Sequence, residues 1–320
     1  MDNPRELTLP SKAVICEVAP RDGFQAITNK WIATEDKISM IRLLSETGVK
    51  NIEITSFVHP KAIPQLKDAS EVVQACQDLT QINFRALVPN IKGAERAIVS
   101  GIKKIKLMLS ATDSHSLSNA NCKTMEAQNG FLPIIELAAK EGVKVGGSIS
   151  VAFGCPFEGK VPKERIFQIV SRYMSMGVDE ISLADSTGAG NPKQVYELLG
   201  YLRDCFPSTL FTLHLHNTRG LAIANAFAAL QQGIIHFDSS IAGLGGCPYL
   251  PGATGNVSTE DLVNAFHEMG VETEMNLDKL IETAKAIKLK LGEIGDSYML
   301  KAGPTSLLYE KQTGQHKLEN

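Results

Sequence analysis

Positive charge is in short supply: 32 Lys and Arg against 35 Asp and Glu leave the 320-residue chain with a formal charge of −3. A polyphosphate backbone would find no basic surplus to bind, so no nucleic-acid partner is expected. Cysteine is sparse. Cys16, Cys76, Cys122, Cys155, Cys205 and Cys247 form no CxxC pair, which argues against a zinc knuckle and against a secreted disulfide framework. No apolar run approaches the roughly 18 residues of a membrane span, so no membrane partner is expected either. The opening stretch, MDNPRELTLPSK, holds Asp2 and Glu6 and no apolar core, unlike a signal peptide. The ending, GQHKLEN, fits neither a prenylation box nor a peroxisomal tripeptide. Low-complexity segments and linkers are absent. These absences together predict a cytoplasmic protein, and an apolar content of 43% excludes wholesale disorder.

What remains is an alternation of two textures. β-Branched runs read as buried strands: AVICEV from Ala13, KNIEIT from Lys50, INFRALV from Ile82, IKKIKLML from Ile102, VKVGGSISVAF from Val143, VDEISLA from Val178, TLFTLHLH from Thr209 and IIHFDSSIA from Ile234. Between them apolar residues recur at helical spacing. After Thr34, a plausible N-cap, Ile38, Ile41, Leu44 and Ser45 share one face and Gly48 marks a stop. Eight strand-then-helix units of similar size predict an α/β chain folded as a closed (β/α)8 TIM barrel. An open doubly wound sheet also alternates, but no GxGxxG follows the first strand. The barrel is expected over residues 1–272. Residues 273–320 are expected to form a C-terminal helical extension, its helix running from Leu277 to Leu291 and capping the barrel or meeting a second subunit.

In such a barrel the working residues sit at the C-terminal ends of the strands. Strand one ends in CEVAPRDGFQ, strand two in EITSF, strand six in SLADSTG and strand seven in HLHNTRG; strand eight runs into GLGGCPYLPGATGNVSTED. His214 and His216, two apart on a strand, face the same way, here into the barrel. A shared metal is the simplest reason for two imidazoles there; the alternative is that one caps a backbone group while the other packs. Asp22 and Asn256 would add oxygen ligands. A thiolate-free N/O set suits a divalent cation such as Mg2+ or Mn2+ better than structural zinc. Arg21 offers a fixed guanidinium to a carboxylate or enolate oxygen, or else a salt bridge to Glu53 that seals the barrel mouth. Asp185 is a base or caps the following helix. Cys247, flanked by Gly243, Gly245 and Gly246, is a candidate for proton transfer or nucleophilic attack, whereas Cys16, Cys76, Cys122 and Cys205 read as buried and inert.

The stretches EVAPRDGFQ, IEITSFVHPKAIPQ, GCPFEGKV, ADSTG and AGLGGCPYLPGATGNVSTEDLV resemble the 3-hydroxy-3-methylglutaryl-CoA lyase family, from about Ala13 to Leu291. The resemblance implies a (β/α)8 barrel with a divalent cation held by Asp22, His214, His216 and Asn256. It implies Arg21 on the enolate and Cys247 in proton transfer. Glu53 and Asp185 would be further catalytic carboxylates, and Gln25, Ser56, Asn119 and Ser182 would surround the substrate. The implied reaction is a retro-Claisen cleavage of a 3-hydroxy-3-substituted acyl-CoA, hydroxymethylglutaryl-CoA first, to acetyl-CoA and acetoacetate. The base is His214 or Asp185. The resemblance also implies a homodimer or higher assembly.

Departures from the family pattern surround this set. Its HDTYG is His216-Asn217-Thr218-Arg219-Gly220 here, its GDT is Ala184-Asp185-Ser186, and SATDSHSLSNANCKT after strand four carries His115. Arg219 either pairs structurally or reads a different acyl group. The competing functions are a lyase for citramalyl-CoA or a longer branched ester, an acetyl-CoA-dependent Claisen synthase, and a non-catalytic metal-binding scaffold.

Overall fold

A computed structural model describes residues 7–246, 254–292 and 294–308. Eight parallel strands close on themselves in chain order: β1 (Val14–Glu17), β2 (Asn51–Ser56), β3 (Asn83–Leu87), β4 (Lys104–Ser110), β5 (Lys144–Ser150), β6 (Glu180–Asp185), β7 (Leu210–Leu215) and β8 (His236–Ser239). The seam is made where Val14 pairs with His236 and Glu17 with Ser239. Each expected strand is present; all begin one or two residues later than expected, and β2, β4 and β6 run one residue further at their C-terminal ends. The closed parallel order is that of a TIM barrel. Among the described residues no helix is long and apolar enough to cross a membrane.

Outward-facing strand residues such as Ile15, Ile52, Leu107, Ile149, Leu183, Leu213 and Phe237 join one core with the helices around them. Four of those helices open on a side chain that accepts from its own first turn: Asn90 from Gly93, Asn191 from Gln194, Ser258 from Asp261 and Asn276 from Lys279. The first helix, Thr34–Ser45, departs from expectation. Ala33 holds the cap position, and the Thr34 hydroxyl instead donates to Asp68 Oδ2 at 2.9 Å. Its buried face is Lys37, Met40, Ile41 and Leu44. Lys37 is tolerated there because its ammonium donates to both Asp68 oxygens at 2.9 Å and to the Gln65 carbonyl. Cys205 is exposed and Cys122 half-buried, contrary to their reading as core residues; the five described cysteines are all free thiols.

The C-terminal helix Leu277–Lys290 lies on helices Thr34–Ser45 and Thr259–Glu268, and its Leu280, Ala284 and Ile287 join the barrel's own core. Its approach demands Gly48, at φ +92, where any Cβ would strike the Glu274 carbonyl.

Two buried carboxyls lock the seam. Glu17 accepts from the backbone of Ala19 and Ile241 and from the Thr259 hydroxyl, and Glu260 accepts from Ala242 N at 3.1 Å through both oxygens. Burial pushes their pKa up, to about 7 for Glu17 and about 8 for Glu260. The native state thus holds protons that the unfolded chain gives up near pH 4.5, and stability falls as pH rises from there to about 8. The melting temperature is expected to drop between pH 6 and pH 9. In Glu260→Gln that drop should shrink by about 2 °C or more; an undiminished drop in scanning calorimetry would show that Glu260 ionises freely in the native state.

Candidate active site

The end of β1 turns into a single π-helical turn, Ala19–Gly23, started by Pro20 and tied to Glu17 through Ala19 N. Such turns are rare and aim side chains that a regular helix would not. This one buries Arg21 and sets Asp22 at the mouth of the barrel, opposite the end of β7.

There His214 Nε2 and His216 Nε2 stand 3.2 Å apart, and Asp22 Oδ2 lies 3.9 Å and 3.7 Å from them. Ligand atoms about 2.1 Å from one octahedral ion stand about 3 Å apart when adjacent and about 4 Å when opposite. The three separations fall within that interval, so these residues fit one divalent cation. Asn256 adjoins them: its Nδ2 donates to Asp22 Oδ2 at 2.7 Å and to Leu244 O at 2.9 Å, while its buried Oδ1 finds no partner among the described residues. An acceptor orphaned beside a carboxylate and two imidazoles suits a cation. Gly245, at φ +133, is required because a Cβ would collide with the Asn256 amide. Burial and then the neighbouring His214 push His216 down to about 4, keeping it neutral as a ligand must be. Burial works against the ionised Asp22, but Arg21 and the two histidines hold its pKa below the usual range.

Arg21 donates from Nε to Glu53 and from Nη1 to Asp22. The expected bridge to Glu53 therefore exists, and Nη2 is left without a protein partner among the described residues. Behind Arg21 runs a buried network that the sequence reading missed. Arg85 donates to Glu53 Oε2 at 2.7 Å and to Asp238 Oδ1 at 2.8 Å. Lys106 donates to Asp238 Oδ2 at 2.9 Å and lies 3.4 Å from Glu53. Asp238 Oδ2 faces His214 Nδ1 at 3.3 Å, which leaves Nε2 as the nitrogen His214 presents to Asp22 and His216. Three cations, Arg21, Arg85 and Lys106, balance Asp22, Glu53 and Asp238. Burial alone would raise the pKa of Glu53 and Asp238, but the surrounding Arg and Lys side chains hold both well below the carboxylate range.

A cavity of about 100 Å³ opens above this floor, bordered by Arg21, Asp22, His214, His216, Gln25 and Asn119 on the expected side. Lys106, His115, Ser148 and Ser150 complete it; His115 is buried, its Nδ1 2.7 Å from Ser110 Oγ. Other expected residues stand elsewhere. Ser182 lies one inward position below Ala184, which borders the cavity where Ser182 does not. Ser56 ends β2 beyond a register shift between Glu53 and Thr55; its hydroxyl, like that of Ser182, is buried without a partner among the described residues. Asp185 spends its oxygens on Ala189 N at 2.9 Å and Gly190 N at 3.0 Å. It clamps the turn after β6, and Asn191 rather than Asp185 caps the next helix. Burial raises its pKa. Arg219 is exposed and straps that same turn, donating to Thr187 O at 2.7 Å and Gly188 O at 3.2 Å. It does not border the cavity. Cys247 lies outside the described residues; its neighbour Gly246 is a cavity residue.

Comparison with known proteins agrees with this arrangement. The model of the HMGL-like family matches residues 12–287. Hydroxymethylglutaryl-CoA lyase YngG of Bacillus subtilis is 44% identical over 284 residues, 89% of this chain and 95% of that protein. The human mitochondrial hydroxymethylglutaryl-CoA lyase is 41% identical over 280 residues, 88% of this chain and 86% of that protein. An HMG-CoA lyase of Acinetobacter baumannii, solved with coenzyme A and 3-methylmalate, superposes with a TM-score of 0.89 at 40% identity, covering 93% of this chain and 97% of that one. Sequence, barrel and similarity to these lyases agree: the chain belongs to the HMGL-like family.

Proposed function

We propose that the chain cleaves 3-hydroxy-3-methylglutaryl-CoA to acetyl-CoA and acetoacetate with the help of a divalent cation, Mg2+ or Mn2+, held by Asp22, His214, His216 and Asn256. The observation that carries this reading is the convergence of Asp22, His214 and His216 beside an Arg21 whose Nη2 has no protein partner among the described residues, all bordering one cavity. The acyl-CoA class is supported by the relative solved with coenzyme A.

A divalent cation at this place supplies Lewis acidity, stabilising negative charge as it develops on substrate oxygen. The chain's own residues do the rest. The tertiary alcohol gives its proton to His214 Nε2, because His214 borders the cavity and Asp185 is committed to backbone amides. Asp238 behind Nδ1 stabilises the imidazolium. With His214 Nε2 serving as the base, Asp22, His216 and Asn256 would be the residues that hold the cation. As the C–C bond breaks, its electrons pass to the thioester as an enolate, and Arg21 Nη2 is the fixed donor for that oxygen. Glu53 holds Arg21 in place. Gln25 and Asn119 border the acyl group, and Cys247, next to the cavity residue Gly246, returns a proton to the enolate carbon. Arg219 acts as a strap on the β6 turn rather than as a reader of substrate. The free thiols are in keeping with a cytoplasmic enzyme, and a homodimer or larger assembly belongs to the same reading.

A panel of 3-hydroxyacyl-CoA esters with Mg2+ or Mn2+, products identified by mass, tests the reading. Hydroxymethylglutaryl-CoA should give acetyl-CoA and acetoacetate, with kcat/KM about tenfold or more above that of esters differing by a methylene. A faster citramalyl-CoA reaction would transfer the assignment to that substrate. Failure of every ester to yield acetyl-CoA would sink it.

A further inference from the structure

At the end of the barrel away from the candidate active site, the interior opens into a second and larger cavity of about 600 Å³. Its wall is made by the first residues of the strands, among them Asn51, Lys104, Lys144, Glu180 and His236, with Arg85 and Asp238 deeper in. The inside of such barrels is ordinarily filled by layers of branched apolar side chains. Here the bottom layer leaves a cavity in which charged and amide side chains stand among apolar ones such as Val14, Phe84 and Leu210.

Its charges do not cancel. Lys104 is satisfied by Glu180 at 2.6 Å, and the charge of Asp238 is already shared by Arg85 and Lys106. Lys103 and Lys144, which also line the cavity, have no carboxylate partner among the described residues. Arg85 is only 6% exposed. Its Nε and Nη2 are used on Glu53 and Asp238, and its Nη1 is left with no protein partner among the described residues. The cavity therefore offers a buried guanidinium donor and two uncompensated ammonium groups, in a chain that is acidic as a whole. Charge-assisted donors from Arg and Lys are the usual means of holding a phosphate or carboxylate.

We propose that this basin is a binding site for a small dianion, either a phosphate-sized oxyanion or a short dicarboxylate, and that its occupancy is felt at the active site. The link is a short chain of contacts. Arg85 borders the basin and holds Asp238 Oδ1; Asp238 Oδ2 is shared by Lys106 and His214 Nδ1. An anion that draws Arg85 toward the basin weakens its hold on Asp238, which then leans toward Lys106 and His214. Linkage requires the effect to be mutual, with active-site ligands altering the affinity for the anion. Anion binding stands by itself, while the coupling rests on the catalytic reading above.

The test uses the full chain, stripped of divalent metal, titrated calorimetrically at low ionic strength with inorganic phosphate and with succinate, chloride serving as the monovalent control. Saturable one-site binding of phosphate alone identifies an oxyanion site; of succinate alone, or of both, a site that accepts dicarboxylates. Either should weaken about tenfold or more in the surface double variant Lys103→Glu/Lys144→Glu and persist in the charge-balanced Arg21→Met/Asp22→Asn, which leaves the Glu53 and Asp238 partners of Arg85 in place. Binding of neither anion, or binding that survives in the lysine double variant, overturns the site. Binding lost in the Arg21 double variant also overturns it, by placing the anion at the active site. With binding established, saturating anion should change kcat/KM for the acyl-CoA about twofold or more in the native chain and not in the lysine double variant. An unchanged kcat/KM in the native chain overturns the coupling and leaves the binding result intact.

Discussion

Replacing His216 with alanine is expected to lower kcat about 1000-fold or more and to abolish tight Mn2+ binding, with little change in the stability of the metal-free protein. The cation is asked for several kcal/mol of transition-state stabilisation, and each 1.4 kcal/mol is about tenfold in rate. His216 supplies one of three donor atoms lying within 4.8 Å of one another. Its other nitrogen, Nδ1, is buried with no partner among the described residues, and Nε2 faces the His214 ring at 3.2 Å, so the ring adds at most one hydrogen bond to the fold when the cation is absent. Calorimetric Mn2+ titration and acetyl-CoA release should therefore fail together while the melting curve holds. A variant that bound no Mn2+ yet turned over at the native rate would remove the metal from the mechanism.

Arg21→Met is expected to cost about 100- to 1000-fold in kcat, the usual loss when one preorganised oxyanion donor is removed. It should also destabilise the fold by about 3–5 kcal/mol, because Glu53 and Asp22 lose a buried partner. The two effects separate by charge arithmetic. The mouth of the barrel holds Arg21, Arg85 and Lys106 against Asp22, Glu53 and Asp238, so Arg21→Met/Glu53→Gln removes one charge of each sign. That double variant should regain most of the lost stability in urea and none of the lost rate. Recovery of rate along with stability would mean that Arg21 serves packing alone.

The barrel was legible because its signal is local. Each strand is a short β-branched run, each helix has its own spacing, and eight repeats close only in a few ways. The convergence of His214 and His216 was legible for a related reason: two histidines two apart on a strand must share a face. What escaped were residues whose meaning depends on distant partners. Arg85 and Asp238 are 153 residues apart, and Lys106 and Asp238 are 132 apart. The clue was present, since Glu53, Arg85, Lys106 and Asp238 are charges inside runs read as buried strands, and a charge there must face a polar interior. Lys37 hid in the same way, since its partners Asp68 and Gln65 come from another part of the chain. The two readings left open for Asp185 and for Arg219 could not be separated because their partners are backbone groups of a turn, and nothing in side-chain identity announces which amides and carbonyls a turn will leave open.

The Glu17 seam has a consequence for how the chain is made. Glu17 leaves the ribosome early, while Ile241, whose amide it accepts, follows 224 residues later. At ordinary synthesis rates that interval lasts on the order of 10–40 s. Throughout it β1 has one neighbour at most, and its other edge is an unpaired template for any passing strand. The short β1, four residues long, keeps that edge small, and the two carboxyls Glu17 and Glu260 complete the ring only when the last strand is in place. The barrel thus closes only once Ile241 has been made, and the helix Leu277–Lys290 seats on it afterwards.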